Sequence, residues 1–407
     1  MDTTKTLLNP MPDDKSLTLS ERILARAFAN ATGGQLHVRF ASGRSLLLGR
    51  NDNDRADLQL LSPDVARRVV LGGSMALAET WMEGLWTTSD LSSLLRILAR
   101  SQAAMGRIAR GASRVLQAMD HAGHRLRMNT RENALKNIQA HYDLSNDLYE
   151  TFLDPSLTYS AAMFSSPGED LEVAQLRKID RLIDQLSPSP QDHVLEIGSG
   201  WGACAIRLAE RSGCRVTSLT LSKEQAAEAR RRVERAGVAD RVEIRLQDYR
   251  DVEGVFDHVV SVEMIEAVGH EFLPAYIEAV NRHLKPGGRF ALQAITIPEE
   301  RYASYQKSCD FIRKHIFPGG HLPSQELLAD LISSHSELKC VDKTEFGKEY
   351  AETLRRWRDA FVQNRRRVLD LGFDDVFLRK WLYYLAYCEA GFDTGLIHVR
   401  QLTYVKG

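Results

Sequence analysis

The chain has 407 residues, of which 43% are hydrophobic and 26% charged, with a formal net charge of −1. That length exceeds what one hydrophobic core usually holds, so two domains are expected, and the composition excludes a disordered or fibrous chain. Near-neutral charge excludes a whole-molecule polyanion binder; attraction to nucleic acid or anionic lipid would need a local patch.

The N-terminus, with Asp2, Pro10, Asp13 and Asp14, lacks the basic-then-apolar pattern of a secretory signal. The best apolar run, Val69 to Ala78, is bounded by Arg68 and Glu79 and interrupted by Gly72 and Gly73, too short for a membrane span. A cytoplasmic protein is therefore expected. Cys204, Cys214, Cys309, Cys340 and Cys388 are odd in number and widely spaced, with no CxxC pair, which argues for reduced apolar filler.

Residues Ser20 to Ala31 carry Ile23, Leu24, Ala27 and Phe28 at helical spacing. After Gly33-Gly34, the alternation of Leu36, Val38 and Phe40, then Gly43 and the run Ser45 to Leu48, predicts a β-hairpin. Helices are expected over Ser62 to Gly84 and Leu91 to Gln102, giving a small α+β domain over residues 1–128. Its last part, Arg107 to Arg131, interleaves arginines with Ile108, Val115, Leu116, Met119 and Leu126. Two readings stand: an amphipathic segment on an anionic membrane, or a linker helix with solvated charges.

The second domain, 129–407, alternates strand-like and helix-like segments: His193–Ile197, Ala203–Arg211, Arg215–Thr220, Lys223–Ala236, Val242–Gln247, His258–Glu263, Leu273–Leu284 and Phe290–Ile297. This pattern predicts an α/β domain with a parallel sheet covered on both faces. Val194 to Gly202, VLEIGSGWG, is a strand running into a glycine turn and a helix, where the backbone can approach a ligand. Gly198, Gly200 and Ala203 also satisfy the loose dinucleotide fingerprint. A nicotinamide enzyme would want an acid at the end of the second strand, about 20 residues on. That strand ends Leu219-Thr220-Leu221-Ser222, whereas Gln247-Asp248-Tyr249 after the third strand offers an acid for an adenine amino group. The pattern favours S-adenosylmethionine over NAD.

His141 to Asp147 (HYDLSND), Leu153-Asp154-Pro155, Thr158-Tyr159-Ser160, Gln247 to Asp251, Ser261 to Glu266 (SVEMIE) and Ile316 to Ser324 (IFPGGHLPS) flank or follow the glycine loop. Together they resemble the cyclopropane-fatty-acyl-phospholipid synthases and their mycolic-acid relatives, over essentially all of Asn129 to Tyr404. Ala78 to Trp86 (AETWMEGLW) resembles the smaller lipid-handling domain of the longer bacterial members. The resemblance implies a Rossmann-like, seven-stranded class I methyltransferase domain with an acyl tunnel. By that analogy Tyr142, Tyr159, Ser160, Gly198, Gly200, Thr220, Gln225, Gln247 and Tyr249 line the S-adenosylmethionine site. Glu266, Ile295 and Tyr350 match positions around a bound bicarbonate, the family's proton acceptor. It further implies action on the double bond of phospholipid acyl chains at the inner membrane surface, giving cyclopropane fatty acids, with no nucleic-acid partner and with a homodimeric assembly.

An alkene is a weak nucleophile, so its π-bond must be aligned with the activated methyl group and water excluded. The resulting cation calls for aromatic faces, with Tyr159, Phe164 and Tyr305 as candidates. A base must then remove a proton, from the new methyl to close a ring or from a chain carbon to leave a branch. Two departures bear on that step: Ala161 and Gln293 stand where many members carry cysteine and histidine. Alanine offers no side-chain hydrogen bond, so the anion cage loses a ligand and bicarbonate use comes into question. Glu263 to Gly269 (EMIEAVG) and Gln293 to Thr296 (QAIT) look closer to the members that make methyl- or methylene-branched chains. Glu263 adds a second carboxylate that could share a proton with Glu266; the plainer expectation is that it points away and is solvated. No zinc-like spacing surrounds His141 or His321, so no metal is expected. The arginines at 355, 356, 358 and 365–367 suit a solvated helix better than a phosphate site. Two other readings stay open: a methyltransferase acting on a soluble or carrier-bound substrate, and a lipid-binding protein without catalysis.

Overall fold

The computed structural model describes residues 16–49, 54–106, 110 and 145–407. The chain divides into two compact units, Met1–Leu116 and Gln117–Gly407. The expected boundary at 128/129, Tyr142 and, apart from Arg110, the basic stretch from Arg107 to Arg131 lie outside the described residues.

In the first unit, helix Leu19–Ala29 starts with a capping box. The Glu21 amide donates to the Thr18 hydroxyl (3.2 Å) and the Thr18 amide to the Glu21 carboxylate (2.8 Å). Strands β1 (Gln35–Arg39) and β2 (Ser45–Gly49) form the expected antiparallel hairpin. A parallel strand β3 (Arg55–Leu60) and the short β4 (Trp86–Thr87) extend the sheet in the order β2-β1-β3-β4. Strand β3 escapes sequence reading because only Leu58 and Leu60 are buried in it, beside Arg55 and Asp57. Helix Asp64–Met82 is broken at Gly73 (φ 63°, ψ −141°), so the long helical run is two segments around a glycine kink.

The second unit is built on a sheet ordered β10-β11-β9-β8-β5-β6-β7. Its parallel members are β5 (His193–Ile197), β6 (Arg215–Thr220), β7 (Val242–Leu246), β8 (Phe256–Val262) and β9 (Leu284–Thr296). Strand β11 (His398–Lys406) is antiparallel to both β9 and β10 (Leu338–Glu345). Successive residues feed opposite layers, as a period of two requires. Leu195, Val259 and Phe290 pack against Leu273, Ile277 and Val280 of helix Leu273–His283. Val194, Val260 and Ala291 pack on the other side with Ile179 and Leu182 of helix Leu171–Leu186 and Ala229 of helix Lys223–Arg235. Helices on both faces explain why these strands read as continuous apolar runs.

The chain lays down β5, β6 and β7 in one direction, then returns to place β8 against the other side of β5. In open α/β sheets such a reversal leaves a crevice at the carboxyl ends of the strands. Among the described residues, no helix is long and apolar enough to cross a membrane.

The double-sided core carries a stability prediction. Leu292 on β9 is fully buried in the layer with Leu195 and Phe290. Leu292→Ala should cost about 3 kcal/mol of unfolding free energy by urea titration, the usual range for a leucine cavity.

Candidate active site

The turn after β5 is set by positive φ angles. Gly198 has φ 98°, and a Cβ there would lie 3.0 Å from Cγ of Met264; Gly200 has φ 49° and open space around it. The Gly198 and Ser199 amides both donate to the Leu219 carbonyl of β6, at 3.1 and 2.7 Å, which pins the loop over the strand ends. Below it opens a cleft of 1240 Å³, including its mouth to solvent.

Tyr159, Ser160, Gly198, Gly200, Thr220, Gln225, Gln247 and Tyr249 all line this cleft. The Gln225 carboxamide oxygen accepts from the Thr220 hydroxyl at 2.9 Å, and the Gln247 amide donates to the Thr220 carbonyl at 3.1 Å. Asp248 also lines the cleft, with its carboxylate engaged by the Arg250 guanidinium at 2.8 and 2.5 Å.

The cleft floor holds buried ionisable groups that sequence reading did not single out. The Lys178 ammonium, fully buried, donates to the Ser160 hydroxyl at 2.6 Å. Burial pulls it down to about 8, against the raising influence of Glu263 and other acids, so it remains a cation at neutral pH. Glu196 accepts from the Ser218 hydroxyl and is pushed by burial up to about 7.

Glu263 is the centre of the second half of the site. It follows β8 directly, in the left-handed region (φ 49°), unusual for a side chain of this size, and its amide donates to the Gln293 carbonyl at 2.8 Å. Glu263 is among the residues lining the cleft, and its carboxylate is held by three donors. The Ala161 amide (2.9 Å) and the Gln293 carboxamide (2.6 Å) donate to Oε1, and the Tyr350 hydroxyl (2.7 Å) donates to Oε2. The expectation that Glu263 points away into solvent is therefore overturned. Tyr350 and Gln293, expected around Glu266 and an exogenous anion, converge instead on the Glu263 carboxylate. Ala161 contributes through its backbone, the one donor that a cysteine-to-alanine change leaves untouched.

Residues 129–402 match the family model described as mycolic acid cyclopropane synthetase. The chain belongs to the mycolic acid cyclopropane synthetase family. It is 42% identical to the tuberculostearic acid methyltransferase UfaA1 of Mycobacterium tuberculosis, over 96% of this chain and 92% of that one. It is 33% identical to the cyclopropane-fatty-acyl-phospholipid synthase of Escherichia coli, over 88% of this chain and 90% of that one. The crystal structure of mycolic acid cyclopropane synthase CmaA1 complexed with SAH and CTAB superimposes with a TM-score of 0.63 at 32% identity, over 67% of this chain and 98% of that one.

As a member of this family the chain is a methyltransferase that uses S-adenosylmethionine. The cleft fits that cofactor. Ile197, Leu219, Met264 and Val268 give apolar walls, while Thr220, Gln225 and Gln247 give neutral hydrogen-bonding groups for a nucleoside. The two cations in the lining, Lys178 and Arg250, are engaged by Ser160 and Asp248 rather than arranged for a pyrophosphate.

Other expectations are redistributed. Glu266 lies beside the cleft rather than in its lining: Oε1 accepts the Ile295 amide at 2.5 Å, while Oε2 is buried without a hydrogen-bond partner. Burial, and then the neighbouring Glu263, push the Glu266 carboxyl up to about 8, which favours its neutral form at neutral pH. Of the three aromatic candidates, Tyr159 lines the cleft with its hydroxyl 2.7 Å from that of Tyr384. Phe164 and Tyr305 are not in that lining, and each already has a guanidinium over its ring, Arg356 at 4.4 Å and Arg313 at 3.7 Å. His321 is buried between the Tyr302 hydroxyl (2.9 Å) and Arg313 (3.0 Å), and its amide donates to the Glu266 carbonyl at 2.8 Å. No cluster that could hold a metal ion occurs among the described residues. Arg355, Arg358, Arg365 and Arg367 are ion-paired within the protein, with Glu352, Glu389, Asp375 and Glu150 among their partners.

Glu266 gives a pH prediction of definite sign. Its folded value of about 8 exceeds the ordinary 4.5, so between these values the native state binds more protons than the unfolded state. Its contribution to stability is complete below 4.5 and is lost as the pH rises through 8, at up to about 1.4 kcal/mol per pH unit. Glu266→Gln keeps the acceptor for Ile295 and removes the titration. Urea unfolding from pH about 5 to about 8 should show a flatter decline for the variant than for the wild type.

Proposed function

We propose that this enzyme methylates a double bond of an unsaturated acyl chain carried by a membrane phospholipid, and that Glu263 accepts the proton lost afterwards. The observation that supports the second half is the cage of three donors holding a carboxylate in the cleft lining. When bound, S-adenosylmethionine supplies an electrophilic methyl group on a sulfonium.

The residues around the cleft have three tasks: to align the alkene, to exclude water and to take up a proton. A C–C bond forms as the S–C bond breaks, and the positive charge passes to the acyl chain. Tyr159, the candidate aromatic face in the lining, faces that charge. A proton then leaves to the Glu263 carboxylate, with its electron pair remaining on the chain. If that pair bonds to the cationic carbon, a cyclopropane closes. If a hydride first shifts to bring the charge to the methyl-bearing carbon, the pair becomes a methylene double bond. Neither outcome needs a reductant.

The greater identity and coverage of the tuberculostearic acid methyltransferase support the branched product over the ring. An internal carboxylate also removes the need for bicarbonate, whose side-chain cage is altered at Ala161 and Gln293. A phospholipid acyl substrate would bring the enzyme to the inner membrane surface as a peripheral protein.

Expression in cells rich in monounsaturated phospholipids, with isotopically labelled methionine, tests both halves. Mass spectrometry should find a labelled one-carbon gain on acyl chains, with fragmentation diagnostic of a methylene branch. Ring fragmentation would restore the cyclopropane assignment, and unlabelled lipids despite cofactor binding would point to a soluble or carrier-bound substrate. Glu263→Gln should lower product formation at least about 100-fold, the usual worth of a general base, while SAH binding stays within a factor of about two.

A further inference from the structure

Two fully buried glutamines sit directly opposite each other in the sheet, Gln293 on β9 and Gln401 on β11. Burying a primary amide is costly unless it is hydrogen-bonded, so an adjacent pair in the middle of a sheet calls for an explanation. Their bonds form a directed chain. The Arg181 Nη1 donates to Gln401 Oε1 at 2.8 Å, and Gln401 Nε2 donates to Gln293 Oε1 at 2.9 Å and to the Lys178 carbonyl at 3.1 Å. Gln293 Nε2 then donates to Glu263 Oε1 at 2.6 Å. At the outer end, Arg181 Nη2 is fixed by Asp342 and Thr344, both at 2.6 Å.

A carboxamide can turn either end toward a neighbour, but a guanidinium can only donate. Arg181 therefore fixes Gln401 with its oxygen outward and its nitrogen inward. Gln401 in turn fixes Gln293 with its nitrogen toward Glu263. We propose that Arg181 and Gln401 are positioning residues for the methyltransferase reaction: their one-way amide relay locks Gln293 as a donor, which keeps the Glu263 carboxylate ionised and aimed into the cleft. This rests on the reading of Glu263 as the proton acceptor.

The other groups facing Glu263 come from three different elements. Lys178, on helix Leu171–Leu186, favours its charge; Tyr350, on helix Gly347–Gln363, donates to it; and Glu266, after β8, opposes it only when ionised. None of these sets the orientation of Gln293. Burial raises Glu263, and the bonds from Ala161, Tyr350 and Gln293 act against that rise. Loss of the Gln293 donor must therefore raise its proton affinity further and move the acid limb of activity to higher pH.

The test measures single-turnover product formation across pH at saturating cofactor, with SAH binding as a check on folding. Gln401→Met cannot direct Gln293. Gln401→Glu accepts from both Arg181 and Gln293, which turns the Gln293 oxygen toward Glu263. The acid limb should move up by about one pH unit for Gln401→Met and further for Gln401→Glu, with SAH binding within about twofold of wild type. Arg181→Met, at the partly exposed end of the relay, should move the limb in the same direction and serves if the Gln401 variants do not fold. An unmoved limb in variants that bind SAH, with the rate lowered equally at every pH, would overturn the relay. If Glu263→Gln is inactive while these limbs stay in place, only the relay fails. If Glu263→Gln retains full activity, the proton-acceptor reading itself fails.

Discussion

A carboxylate inside a protein either finds donors or takes up a proton, and the catalytic half of this molecule is organised around that choice. Burial raises the proton affinity of Glu263, and groups from distant parts of the sequence act against that rise: the Ala161 amide, the Gln293 carboxamide and the Tyr350 hydroxyl. Sheet order makes this convergence possible. Strand β8 delivers Glu263 beside β5 and its glycine turn, and β9 runs parallel to β8 with Gln293 paired to Val262. The same reversal that opens a cofactor cleft therefore brings a carboxyl group to its wall.

The neighbouring carboxyl completes the arrangement by being different. Glu266 has the Ile295 amide on Oε1 and a buried, unpartnered Oε2, and its environment favours the neutral acid. Two carboxylates this close would repel one another if both were ionised, and the protein separates them by giving most of the donors to Glu263. Lys178 adds a buried positive charge on the side of Glu263. In the proposed reaction Glu263 is the carboxyl that accepts a proton, while Glu266 braces the Ile295 amide and, through its backbone carbonyl, the His321 amide.

Much of the catalytic unit was legible in the sequence, because its strands are apolar on both faces and its glycine turn has a distinctive composition. Strand β3 was not, since its two buried leucines lie among polar and charged residues that mask the alternation. In the site, motifs picked out the residues expected at the cofactor, eight of which line one cleft, but not the donors gathered around Glu263. Its spacing from Glu266 suggested a shared proton and its plainer reading was a solvated side chain, whereas Glu263, at positive φ, is held by donors that sequence distance conceals. A usable signal did exist. Ala161 and Gln293 change two side chains of an anion cage while Tyr350 remains, and an added carboxylate at 263 is what would satisfy the donors left behind. Lys178, Gln401 and Arg181 gave no such signal, because a lysine or arginine on an amphipathic helix and a glutamine in a terminal strand look like ordinary surface residues.

These polar groups weaken the fold locally. A left-handed glutamate, a buried lysine and a facing pair of buried glutamines each disfavour folding unless fully satisfied, by about 1–3 kcal/mol for a strained residue or an unmet polar group. The apolar layers on both faces of the sheet offset that burden, and the directed hydrogen bonds limit it by leaving each amide one favourable orientation. An apolar pair in place of Gln293 and Gln401 would pack as well and cost less. It would also leave the Glu263 carboxylate one donor short in a low-dielectric cleft, where the missing bond would raise its proton affinity further. The polar pair is thus best understood as stability given up for a defined donor at one oxygen.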